Sequence, residues 1–464
     1  MTDITGKTQK FVKGGTRQGL LPLLATVLLL VAGGCGSRAD EDESSPDEGL
    51  GTETTAATEP EATAITPQSD MFGTADNPCG SETAGTVPAD TPGVSEDTIR
   101  IGVISDKENP TVPLPTVGIE ESVQAFVDFC NEAGGVDGRQ LDLVTYDSAI
   151  VATDDVTKQA CDDDLFALVG SGSVQDQLGV ETREGCGLIE VGAYAATPER
   201  AESTNFFQPN PAEDNTQLNV GPCQHIAEEF PDAVTRAAIV YTDLRPAARR
   251  AEKWVEACER EAGFDFLVQY PLPFGETNLG PLVEQIQEND IGYFTMVSSS
   301  SETLGVLDEL ATQGVEVEVI DLGAQYYEEA FGQEEVADGA LVTTGNVPFV
   351  EADTSPALTY YLDAMEDAGA PHSTLGVAAF SAGLLFATAV DSLDGDLTRE
   401  SLVEALSGIH EWDGGGLHST TDPGNGTANP CFLYVRVEDG EFVRDHPDEG
   451  FSCDPSTIAT VADG

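Results

Sequence analysis

The residues best suited to chemistry lie at 170–173, where Gly170-Ser171-Gly172-Ser173 follows the apolar run Leu165–Val169 and precedes the polar Val174-Gln175-Asp176. A Gly/Ser loop at the end of a strand can cradle a phosphate, present a nucleophile, or hold an anionic group without reacting with it. Spacing separates these. A phosphate loop needs G-x-x-x-x-G-K-[ST], and no lysine lies near 170–173. A hydrolase elbow needs G-x-S-x-G and a poised histidine. Ser171 and Ser173 miss that frame, and His225, His372, His410, His418 and His446 fall in helix, loop or hairpin contexts. No G-x-G-x-x-G follows Ile99–Ile104, so no dinucleotide cofactor is expected. With no C-x-x-C pair and no histidine at ligand spacing from a cysteine, no metal is expected either. Binding without catalysis remains.

The chain ends say where such binding takes place. Lys7, Lys10, Lys13 and Arg17 precede a 13-residue apolar run, Leu20–Ala32, and then Gly33-Gly34-Cys35. A basic head, a short apolar core and small residues describe a secretory signal, and the run is too short to span the ~30 Å hydrocarbon core. The cysteine after Ala-Gly-Gly resembles a bacterial lipoprotein signal, which implies cleavage after residue 34 and a diacylglycerol on Cys35. An extracytoplasmic protein held at the outer face of the membrane is expected. Residues 35–96 are rich in Asp, Glu, Ser, Thr, Pro and Gly, with few large apolar side chains. Such a segment buries too little to offset its ordering entropy and is expected to be an acidic flexible tether.

Composition excludes whole classes of partner. The formal net charge is −63, so nucleic acid, which needs a basic footprint, is not a partner. An acidic, solvated exterior that keeps the protein soluble accounts for the charge. Cys79, Cys130, Cys161, Cys186, Cys223, Cys258, Cys431 and Cys453 make an even set, which in an exported chain implies disulfides, with on the order of 100 connectivities open.

The elements that must carry the loop alternate. Ile99–Ile104, Leu141–Tyr146, Leu165–Val169 and Leu188–Gly192 read as strands, separated by helices at 118–131, 154–163 and 175–184. The alternation restarts with a helix at 217–230 and a strand at Ala237–Tyr241. A helix at 247–262, a strand at Phe266–Tyr270 and a helix at 279–288 follow, then Tyr293–Val297, a helix at 302–313 and Val317–Leu322. This is an α/β protein of two doubly wound, Rossmann-like lobes, and such sheets bind ligands beyond the carboxyl ends of their strands. Leu341–Thr344 reads as a strand and 355–368 as a helix. Leu375–Leu393 could pass for a membrane span, but Ser381, Gly383, Thr388 and Asp391 interrupt it and mark a core helix. Asp439-Gly440 marks a hairpin turn.

Residues Phe129–Ser148, FCNEAGGVDGRQLDLVTYDS, carry the pattern N-x-x-G-G-[IV]-x-G-R-x-L. With DDDLFALVGSGS, GAYAATPE and the terminal hairpin, this resembles the type I periplasmic binding proteins, especially the branched-chain amino acid receptors of ABC importers. The resemblance implies two lobes with a ligand cleft between them, at 97–220 plus 345–425 and at 221–344 plus 426–464. It implies three crossing strands near Phe207–Pro211, Gly345–Pro348 and Gly426–Asn429. By the same resemblance, ligand contacts fall at Ser171, Gly172 and Ser173 and at Tyr194, Ala195, Ala196 and Thr197 in the first lobe. In the second they fall in the loops holding Arg245, Ser299 and Ser300, and Gln325 and Tyr326. Branched-chain receptors carry a glutamate where this chain has Gln325, and an aromatic residue where it has Leu244-Arg245-Pro246. An amino acid, an amide, a short carboxylate or a small anion paired with Arg245 all fit. The implied partners are a small polar ligand and an ABC permease, for a monomeric receptor without enzymatic activity; a sensory domain of the same fold is the alternative. For the cysteines, consecutive pairing is expected: Cys79–Cys130, Cys161–Cys186, Cys223–Cys258 and Cys431–Cys453.

Overall fold

The computed structural model describes residues 64–80, 91–107, 117–211, 216–393 and 396–461. The signal segment 1–34, Cys35 and the tether to residue 63 lie outside them.

The first lobe is built on Thr98–Ser105, whose Ile99, Ile101, Val103 and Ile104 are all buried. A strand apolar on both faces suits the middle of a parallel sheet covered by helices on each side. Gln140–Asp147 and Ala167–Val169 flank it, and Ile189–Val191 and Phe206–Phe207 continue outward, every pair parallel. The helix Val117–Ala133 turns Ile119, Val123, Phe126 and Cys130 into the core. At its end Gly135 has φ +97°, and a Cβ there would lie 2.1 Å from the Arg139 carbonyl oxygen. Only glycine allows that reversal into the next strand. The helix Thr374–Asp391 is long and apolar enough to cross a membrane, but 78% of it is buried, and it packs against Val117–Ala133 as the centre of this lobe.

The second lobe repeats the plan. Its strands run in the order Phe266–Leu272, Ala237–Thr242, Tyr293–Val297, Val319–Leu322 and Leu341–Thr344, all parallel. The antiparallel hairpin Cys431–Glu438 and Glu441–His446 extends the edge, turning through Asp439 and Gly440, both at positive φ as a two-residue turn requires. Separate apolar clusters fill the two faces of this sheet. Where the chain passes between lobes, Asn429 Nδ2 donates to Asn210 Oδ1 at 3.0 Å, and both amides lie against Gly345.

Three sequence expectations change. Residues 64–80, assigned by composition to the flexible tether, pack on the first lobe as the strands Met71–Phe72 and Ala75–Asp76. Phe72 is buried among Phe129, Tyr360 and Phe380, with ring centroids 5.3, 5.8 and 5.7 Å away. One aromatic ring and the Cys79–Cys130 disulfide anchor a segment that average composition reads as unfolded. Gln217–Asn219 is a strand paired with Ile458–Thr460, and the helix begins only at Gly221, so a two-stranded antiparallel pair replaces the expected first helical turn. The helix expected at 175–184 is a 3₁₀ turn, Asp176–Gly179, followed by Val180–Gly185. The remaining disulfides are Cys161–Cys186, Cys223–Cys258 and Cys431–Cys453.

Candidate functional site

Both sheets reverse direction of strand addition at their first strand, Thr98–Ser105 in one lobe and Ala237–Thr242 in the other. Ligands bind at such switch points, beyond the carboxyl ends of the strands. Between the two lies a cavity of about 490 Å³, within the ~300–1,000 Å³ range of small-molecule sites. The crossing residues Asn210, Gly345 and Asn429 form part of its wall, so lobe movement changes its shape.

The first-lobe wall is set by two buried carboxyls. Asp106 follows the Thr98–Ser105 strand and accepts from the Val174 and Ile150 backbone N–H groups, both at 2.7 Å, and from the Ser148 hydroxyl. Asp176 accepts from the Ala196 N–H at 2.7 Å and the Thr197 hydroxyl at 2.6 Å. Burial pushes the Asp176 carboxyl up to about 6, against the pull of Arg200, and raises Asp106 as well. These bonds fix the Gly/Ser loop to the Tyr194–Thr197 loop. Gly172 lies under the Tyr194 ring, where a Cβ would come 2.2 Å from Cε1.

The second-lobe wall is deeper. Pro246, Ala247, Arg250 and Trp254 recur at helical spacing along the Arg245–Ala262 helix and face the strand residues Ile239, Thr295, Asp321 and Thr343. The Arg250 guanidinium lies 5.6 Å over the Trp254 ring. At the rim, Glu302 gathers the hydroxyls of Ser298 at 2.6 Å and of Thr242 at 3.1 Å. At the floor, Tyr293 donates to Asp321 Oδ2 at 2.8 Å. The Tyr434 hydroxyl lies within hydrogen-bonding reach of the same carboxyl and also 3.5 Å from the Pro222 carbonyl oxygen. Asp321 Oδ1 and Trp254 Nε1 have no hydrogen bond of normal geometry. Asp321 is 2% exposed, and burial pushes its carboxyl up to about 7.

Of the residues expected from the sequence, Tyr194, Ala195, Ala196, Ser299 and Gln325 line the cavity. Ser171, Gly172, Ser173, Thr197, Arg245, Ser300 and Tyr326 do not. Ser171 Oγ is fully buried and accepts the Ile104 N–H at 3.0 Å; Thr197 is the N-cap of Pro198–Ala201. The Tyr326 hydroxyl is tied to the Ser298 N–H and the Thr303 hydroxyl. Arg245 forms an exposed ion pair with Glu199 of the opposite lobe, whereas Arg250, five residues on, reaches the cavity. Trp254, Asp321, Phe432 and Leu375 line it without having been expected. Their signals were faint: one of only two tryptophans, and a carboxylate inside the apolar strand VIDL. Ser381 Oγ and His418 Nε2 lie 2.9 Å apart, but both are sealed in the first-lobe core, where Trp412 donates to the same hydroxyl.

Residues 98–441 match the periplasmic binding protein family. No curated protein matches the chain. Among solved structures, a fatty acid ABC transporter substrate-binding protein from Thermomonospora curvata superposes with a TM-score of 0.67 at 15% identity, covering 80% of this chain and 97% of that one. A solute-binding protein from R. palustris in complex with 4-hydroxybenzoate gives 0.64 at 17%, covering 77% and 98%. The branched-chain amino acid binding protein LivJ from Streptococcus pneumoniae, in complex with isoleucine, gives 0.60 at 18%, covering 75% and 100%.

Proposed function

The chain belongs to the periplasmic binding protein family, and we propose that it is an extracytoplasmic receptor that captures a small solute between its lobes and hands it to an ABC permease. The observation that carries this reading is the cavity at the facing switch points of the two sheets, walled by the lobe-crossing residues Asn210, Gly345 and Asn429. A ligand that touches both lobes is bound more tightly when they are closed and shifts them toward that state. The permease then has two shapes to distinguish. Relatives of the same fold take ligands as unlike as isoleucine and 4-hydroxybenzoate, so the fold alone leaves the solute open. The lipid on Cys35 would hold the receptor beside its permease, with the acidic segment after it as the leash.

A thermal-shift screen of the full chain against amino acids, amides, short carboxylates, aromatic acids and fatty acids tests the receptor role. A solute present at ~100 times its dissociation constant adds about 2.7 kcal/mol. No response to any class at millimolar concentration contradicts the reading. Cys35→Ser tests the anchor: the protein is expected in the medium rather than the membrane fraction.

A further inference from the structure

In a chain with 83 acidic and 20 basic residues, the wall of the cavity nevertheless holds a cation. Among the described residues that line it, Arg250 is the one basic side chain. It stands in the second turn of Arg245–Ala262, an 18-residue helix whose start has no side-chain cap. Leu244, Pro246 and Ala247 at that start are cavity wall as well, so the positive end of the helix dipole adds to the guanidinium. The guanidinium lies 5.6 Å over the Trp254 ring. Stacking engages the face of the group, whereas a carboxylate is taken at its N–H edge in two parallel hydrogen bonds. The surroundings are apolar: Pro222, Ile239, Pro246, Trp254 and Phe432. The two carboxyls in the lining are held by the protein itself. Glu302 accepts from the Ser298 and Thr242 hydroxyls and from the Gly275 N–H at 2.9 Å, and Asp321 is enclosed with Tyr293 and Tyr434.

Resting on the receptor reading, we infer that the solute is a monocarboxylate with an apolar body, its carboxylate taken by Arg250 and its body packed among Pro246, Trp254 and Phe432. The first-lobe loops do not compete for that carboxylate. The Ser171 hydroxyl accepts the Ile104 N–H inside the lobe, and Ser173 and Thr197 lie outside the lining. The anionic group suggested by the Gly/Ser loop is thus met from the opposite lobe. One guanidinium neutralises one charge, and Glu302 at the rim opposes a second. An amide of the same body fits the same walls and forgoes the charge-assisted pair.

Two probe sets isolate the charge: 4-methylbenzoate with 4-methylbenzamide and terephthalate, and hexanoate with hexanamide and adipate. Binding to the full chain is followed by calorimetry and tryptophan fluorescence. With two tryptophans in the chain, Trp254→Phe leaves Trp412 as the reference. At least one monocarboxylate is expected to bind tenfold or more tighter than its amide and its dicarboxylate, with the fluorescence change arising from Trp254. Arg250→Gln is expected to bring acid and amide within threefold of each other, and Arg250→Lys to keep part of the preference. A role for Arg250 in packing alone would instead lower acid and amide together. Should Arg250→Gln not fold, Ala247→Glu, one turn earlier on the same wall, is expected to weaken the acid at least tenfold relative to Ala247→Gln, its neutral control of the same size. Failure of every probe, amide or dicarboxylate binding as tight as the monocarboxylate, or an acid preference unchanged in Arg250→Gln or Ala247→Glu would overturn the inference. A solute from the broader screen that binds the wild type and Arg250→Gln alike also overturns it, and leaves the receptor role standing. The receptor role falls only if no solute from either panel binds.

Discussion

The two walls of the cleft spend their polar groups differently. In the first lobe, Asp106 and Asp176 accept hydrogen bonds from the loops around them, and Ser171 accepts from the neighbouring strand. In the second, the lining residues Asp321 and Trp254 sit in a buried cluster with Tyr293 and Tyr434, and Asp321 Oδ1 and Trp254 Nε1 make no hydrogen bond of normal geometry. Both walls derive from the same strand order, so topology does not make the difference. A satisfied wall is a scaffold that keeps its shape whether or not a ligand is present. A wall whose polar groups are less tightly tied can adjust more readily to what it holds. The second lobe is therefore expected to carry more of the specificity, and the first to hold the shape.

The largest expected effect is on the scaffold. Asp176→Ala leaves the Ala196 N–H and the Thr197 hydroxyl without their acceptor, and is expected to cost about 2–4 kcal/mol in denaturant melts. The buried carboxyl of the other wall is tested through pH. Asp321 is raised from 3.8 to about 7 by burial, so the folded chain binds that proton more tightly than the unfolded one. Its contribution is most favourable below pH 4 and is lost as the pH climbs to about 7. Asp321→Asn is thus expected to be relatively more stable than the wild type at pH 8 than at pH 4, by about 1–4 kcal/mol. Equal differences at the two pH values would mean that burial does not raise the Asp321 carboxyl.

Smaller effects sharpen the same contrast. Ser171→Ala deprives the Ile104 N–H of its acceptor and is expected to lower stability by about 1–2 kcal/mol, with solute affinity unchanged within twofold. Arg245→Ala breaks an exposed pair with Glu199 across the cleft mouth. It is expected to change stability by less than about 1 kcal/mol, and less again in high salt. A tenfold loss of affinity in Arg245→Ala would instead return that residue to the ligand.

The fold was legible because alternation of apolar strands and amphipathic helices survives on each element separately. The loops after Val169 and Val191 were legible as cleft positions for the same reason, since a strand end locates a loop. Which atoms in those loops face the cavity was not. Ser171 looks free in sequence, but its hydroxyl lies close to a backbone N–H 67 residues away. Asp321 was invisible for a different reason: in a chain with 83 acidic residues one more carboxylate carries no signal, and only the fold shows that this one is buried. Residues 64–80 were read by average composition, which one well-placed ring, Phe72, overrides. Gln217–Asn219 is a strand only because Ile458–Thr460 returns to meet it from the far end of the chain.

The most direct test is the dissociation constant of the tightest-binding solute for the wild type, Trp254→Ala and Ser171→Ala, measured side by side by calorimetry. A tenfold or greater loss in Trp254→Ala, whose ring lines the second-lobe wall, with Ser171→Ala within twofold of wild type, is the expected result. The reverse order, with Ser171→Ala crippled and Trp254→Ala unaffected, would place recognition on the first-lobe wall and contradict the division between the lobes.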